Sequence, residues 1–72
     1  MREQIIYIQK LGKKIRDIRS ERNITQENLA LEAGLNRAYV GYIERGERNP
    51  SVTTLEKIAR ILKVQLYELF KF

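Results

Sequence analysis

The stretch TQENLALEAGLNRAYVGYIER, residues 25–45, holds two short helical patterns that meet at one glycine. In residues 26–33 the apolar positions Leu29, Ala30 and Ala33 share one face of a 3.6-residue period. Gly34 interrupts the pattern, and residues 36–45 resume it with Val40 and Ile43. Thr25 and Asn36 precede the two segments. Their short polar side chains can accept from the free N–H groups of a first helical turn. Glu27 adds a carboxylate at the positive end of the first dipole. Gly34 supplies the positive φ that closes the first helix, and Leu35 anchors the turn.

Two helices joined by a tight glycine turn are the plan of a helix-turn-helix unit, and the rest of the chain reads as its scaffold. Upstream, residues 1–22 predict one long helix with Ile5, Ile8, Leu11, Ile15 and Ile18 as a stripe. Ile6 and Tyr7 lie off that stripe and give the first two turns apolar surface suited to a neighbouring subunit or to the C-terminus. Gly12 costs about 1 kcal/mol against Ala inside a helix, so a helix start near Gly12 is the alternative. Asn23 closes the helix in a left-handed conformation, and Ile24 drops into the core. Downstream, Gly46 ends the third helix at residues 37–45, and Pro50 bars continuation through the loop. Ser51 caps a fourth helix over residues 52–62, with Val52, Leu55, Ile58, Ala59 and Leu62 on one face. Lys63 suits its C-terminal dipole. Residues 65–70 predict a short fifth helix carrying Leu66, Leu69 and Phe70. The expectation is an all-α, five-helix domain spanning residues 1–72, with the helix-turn-helix at 26–45 in its centre.

Composition narrows the chemistry. The 72 residues contain no cysteine and no histidine, which removes thiolate metal sites and the commonest general base. No metal, cofactor or small-molecule ligand is expected, and an enzyme is disfavoured. Fourteen Lys and Arg against nine Asp and Glu give a formal charge of +5. That balance suits a polyanion, nucleic acid first and an anionic membrane second. No apolar run approaches the roughly 18–20 residues that span a bilayer, and MREQIIYIQK makes a poor signal peptide. A cytoplasmic protein with no membrane partner is the expectation. A chain this short buries little surface, so a partner subunit would help it.

These residues resemble the Cro/repressor-type, or Xre, family of helix-turn-helix regulators. Gln26, Leu29, Ala30, Ala33, Gly34, Leu35, Val40 and Ile43 fit its motif place by place, and GERNPS and the fourth helix match the family's usual next segment. The resemblance covers roughly residues 11–70 and implies a lambda-repressor-like fold. It implies that the third helix enters a major groove about 12 Å wide. With Val40, Ile43 and Glu44 turned inward, Ala38, Tyr42 and Arg45 face outward and Tyr39 and Gly41 flank them. Arg37, Ala38, Tyr39 and Tyr42 are the candidate base contacts: Arg37 for guanine O6/N7, Ala38 for a thymine methyl, the tyrosines through their hydroxyls. For Tyr39 and Tyr42 the competing reading is packing. Gln26, Arg45, Arg48 and Asn49 are the candidate phosphate contacts, Arg45 because it sits at the far end of the helix. The resemblance also sets Arg19 opposite Glu44 as a structural ion pair.

Readers of this type bind as two-fold dimers, and Tyr67, Phe70 and Phe72 are the apolar residues left over for an interface. The resulting expectation is a homodimeric, sequence-specific regulator on a palindromic duplex-DNA operator. Within the family, the NRAYVGYIERGERNPS segment most resembles controller proteins of restriction–modification operons. A phage-type repressor or an antitoxin acting partly through protein contacts is the alternative.

Overall fold

The computed structural model describes residues 2–72, with side chains from residue 5 onward. Four α-helices run in order: α1 (Arg2–Glu21), α2 (Gln26–Ala33), α3 (Arg37–Glu44) and α4 (Val52–Leu62). A 3-10 helix, Leu66–Phe70, ends the chain, and no strand occurs among the described residues. The predicted first residue of α1, Met1, lies outside the described residues.

The expected caps are in place. Thr25 Oγ1 accepts from the Asn28 N–H at 3.0 Å, Asn36 Oδ1 from Ala38 at 2.7 Å, and Ser51 Oγ from Thr54 at 3.1 Å. Gly34 closes α2 at φ 68°, and Asn23 takes φ 57° after α1. Lys63 closes α4 in the left-handed region at φ 60°, a conformation that L side chains adopt only at a cost.

The core gathers Leu11, Ile15 and Ile18 of α1, Leu29 and Ala30 of α2, Val40 and Ile43 of α3, the inner face of α4, and Leu69. α1 packs on α3 and the 3-10 helix, α2 on α3 and α4, and α4 on the 3-10 helix.

Four expectations need correction. The fifth helix is 3-10, not α: five residues leave room for little beyond i→i+3 bonds such as Glu68 N–H to Gln65 O at 3.0 Å. The third helix ends at Glu44, with Arg45 as its C-cap. Val52 and Ile5 share the periodicity of buried neighbours yet are exposed. Val52 opens α4 just after the buried Pro50, and Ile5 lies in the first turns of α1, where Ile6 and Tyr7 are exposed as well. Finally, α1 does not begin near Gly12 but runs straight through it.

Gly12 is where α1 and α3 touch. A methyl group there would collide with the Ile43 carbonyl oxygen and lie 2.7 Å from that of Glu44. The residue that looked like a helix weakness is a condition of the helix crossing. Tyr7, left over from the α1 stripe, packs on the C-terminus. Its ring stacks on Phe70 at 6.0 Å between centroids and meets Phe72 edge-on at 5.7 Å.

Candidate functional site

α3 has a polar anchor on its inner side. Glu44 is buried, with only 1% of its side chain exposed against 14% for Arg19. Arg19 Nε and Nη2 donate to the two Glu44 carboxylate oxygens at 2.7 and 3.1 Å, and Arg19 Nη1 donates to the Ile24 carbonyl at 2.7 Å. The resemblance implied this pair; it did not imply its third member. Gln26 Nε2 donates to Glu44 Oε1 at 2.9 Å. One carboxylate therefore ties α1, the start of α2 and the end of α3 together, and a charge taken out of water keeps several partners.

The opposite face of α3 is open. Arg37, Ala38, Tyr42 and Arg45 are exposed. Tyr39 is half-buried and leans on the core, so packing claims more of Tyr39 than of Tyr42. The Tyr42 ring carries two cations, with the guanidinium carbons of Arg45 and Arg48 at 5.2 and 5.1 Å from its centroid. Arg48 and Asn49 are exposed in the loop after α3.

Arg37 stands at the first turn of α3, 4.0 Å from a Glu27 carboxylate oxygen. Between these residues an open hollow of about 400 Å³ is lined by Arg19, Thr25, Gln26, Glu27 and Arg37. The hollow opens at the start of α2, with Arg37 and Glu27 of opposite charge on its rim.

Arg45 is the exposed C-cap at the far end of α3, where it was expected, and its side chain folds back along the helix, the direction long side chains take. A methyl group at Gly41 would lie 3.0 Å from Arg45 Nη1. Glu47 holds the other edge of the same guanidinium, accepting from Nε at 3.1 Å and from Nη2 at 3.4 Å.

On α1, Lys13 and Arg16 both lean on Asp17. The Lys13 ammonium donates to the Asp17 carboxylate at 2.7 Å and holds it below the usual carboxylate range. Among the described residues no helix is long and apolar enough to cross a membrane.

Sequence reasoning brought Ala38, Tyr42 and Arg45 to one face, with Arg37 beside them at the first turn. It missed Gln26 as an internal donor, Gly12 as a contact point and Glu47 as a partner of Arg45. A glycine inside an otherwise helical stripe, next to the inward-facing Leu11, was the available signal for Gly12. Nothing in the spacing of Gln26 and Glu44, 18 residues apart, could have disclosed their bond.

The sequence pattern of the helix-turn-helix family HTH_3 matches residues 15–69. Control protein C.BamHI of Bacillus amyloliquefaciens is 48% identical over 62 residues, which cover 85% of this chain and 76% of that protein. The restriction-modification controller protein C.AhdI of Aeromonas hydrophila superposes with a TM-score of 0.86 at 41% identity, over 88% of this chain and 96% of its own. SinR, a master regulator for biofilm formation solved in complex with DNA, superposes with a TM-score of 0.78 at 35% identity, over 82% of this chain and 95% of its own.

Proposed function

The chain belongs to the helix-turn-helix family HTH_3, and on that premise we propose that it is a transcriptional regulator that binds duplex DNA sequence-specifically as a homodimer on a palindromic operator. The observation that carries this reading is the division of α3. Its inner face is locked by the Arg19–Glu44–Gln26 bonds, and its outer face offers cationic, aromatic and small side chains. A rigid helix with such a face fits a major groove.

In that pose Arg37 pairs with guanine O6/N7, Ala38 meets a thymine methyl, and Tyr42 and, less openly, Tyr39 present hydroxyls. Gln26, Arg48, Asn49 and the N-terminal N–H groups of α2 meet phosphates and fix the register. The kinship with C.BamHI and C.AhdI favours a controller protein of a restriction–modification operon. Tyr67, Phe70 and Phe72 form the dimer interface, Phe70 and Phe72 already braced on one side by Tyr7. Such a protein works by occupancy rather than turnover, in the cytoplasm with its operator.

Selection of bound duplexes from a random pool tests the proposal. The expected result is a palindrome with half-sites about 34 Å, one helical turn, apart. Binding without a consensus would overturn sequence-specific reading, and a non-repeated half-site would overturn the dimer.

A further inference from the structure

Resting on that reading, we infer that Arg45 reads a base edge, a guanine in the major groove, rather than a phosphate, and that Glu47 is the residue that positions it.

Three observations place the Arg45 guanidinium over the outer face of α3. Gly41 gives it room: with no side chain at 41, Nη1 lies where a methyl group would be 3.0 Å away. Tyr42 supports it from one ring, 5.2 Å from the centroid. Glu47 accepts from Nε at 3.1 Å and from Nη2 at 3.4 Å, so one edge of the fork is taken.

A guanidinium has five N–H donors in a planar fork. Glu47 uses the Nε–H and one of the two on Nη2. Both donors of Nη1 and the second of Nη2 remain, and they point away from Glu47. The free end, one N–H from each terminal nitrogen, is the donor pair that matches guanine O6 and N7. A phosphate contact needs no such orientation, and it would draw Arg45 off Gly41 towards the helix end. Glu47, itself an anion beside a face that approaches DNA, weakens general binding, and aiming Arg45 is what offsets that cost.

That trade of general affinity for base preference can be measured apart from DNA binding itself. The experiment is random-pool selection, then competition binding with wild type, Arg45→Ala and Glu47→Gln. Arg45→Ala is expected to erase the preference for G at one position of each half-site, a loss of roughly 5- to 150-fold in discrimination there, with other positions unchanged. Glu47→Gln is expected to relax the same position while binding to unrelated duplex strengthens or holds. If Arg45→Ala weakens all sequences alike with base preferences intact, Arg45 is a phosphate contact and the inference fails. If Glu47→Gln strengthens specific and unrelated duplexes equally, Glu47 does not position Arg45 and that part fails. A wild-type protein with no consensus overturns the proposed function and this inference together, whereas a wild-type consensus with either of the first two failures overturns the inference alone.

Discussion

Arg19→Ala tests the frame on which the functional reading stands. The substitution removes both guanidinium bonds to Glu44, at 2.7 and 3.1 Å, and the bond to the Ile24 carbonyl at 2.7 Å. Glu44 remains with 1% of its side chain exposed and one neutral partner, the Gln26 amide. Breaking a buried pair from one side costs about 3–5 kcal/mol, because the surviving charge is left uncompensated. A domain of 72 residues has roughly 4–11 kcal/mol in hand at about 0.05–0.15 kcal/mol per residue, so about a quarter or more of the stability should go. Urea titration monitored by circular dichroism measures the loss, and Tm should fall by roughly 12–40 °C at about 4–8 °C per kcal/mol. The double variant Arg19→Met with Glu44→Leu leaves no buried charge. It should recover most of the stability while Gln26, deprived of its anchor, loses its fixed position beside α3. A loss below about 1 kcal/mol for Arg19→Ala, or a fall in DNA affinity with stability unchanged, would refute the assignment of Arg19 to structure.

Gly12→Ala should destabilise by about 1–3 kcal/mol in a thermal melt, since the backbone carbonyls of Ile43 and Glu44 must retreat and the gain of about 1 kcal/mol in helix propensity does not offset that. An unchanged or raised Tm would show that the α1–α3 contact is not close. Lys63→Gly should raise stability by up to about 1 kcal/mol by relieving a left-handed L-residue; a lower Tm would mean that the lysine side chain matters more than its φ. In binding assays, Arg37→Ala should relax base preference, whereas Arg48→Ala should weaken all duplexes alike and flatten the salt dependence by about one unit of slope. On the proposed interface, Phe72→Glu with Tyr67→Glu should give a monomer in sedimentation at tens of micromolar where the wild type is expected to dimerise; a variant that still dimerises would move the interface elsewhere.

Local chemistry was legible in the sequence. Thr25, Asn36 and Ser51 cap the helices they precede, and Gly34 and Asn23 take positive φ, because each event depends on a residue and its immediate neighbours. Periodicity found the face of each helix but not where burial begins along it. Val52 and Ile5 have the right spacing and still face solvent, each in the first turns of its helix. The 3-10 geometry at Leu66–Phe70 turns on i→i+3 against i→i+4 bonding over a single turn, which side-chain pattern does not encode. In the candidate site, a helical wheel separated Val40 and Ile43 from Ala38 and Tyr42 correctly. It could not rank Tyr39 against Tyr42, since neighbouring elements decide how far a flanking ring is covered. The backward course of the Arg45 side chain was not legible, because the wheel gives the Cα position of a long side chain and not its direction.

The charges around α3 bear on selectivity as well as affinity. Arg37 and Arg45 each have a carboxylate within ion-pair distance, from Glu27 at 4.0 Å and Glu47 at 3.1 Å, while Arg48 has none among the described residues. Non-specific affinity comes from cations that displace counterions from phosphate, whatever the sequence. An arginine already partnered contributes less to that term, yet keeps the free donors that a guanine edge can accept. On the proposed reading of Arg37 and Arg45 as base contacts, holding them beside acids lowers binding to random duplex more than binding to the operator, and the ratio of the two is what selects an operator among the many sites of a genome. Removing both acids should raise total affinity and narrow that ratio. A Glu27→Gln, Glu47→Gln double variant whose affinities for operator and random duplex rise by the same factor would leave these acids with no part in selectivity.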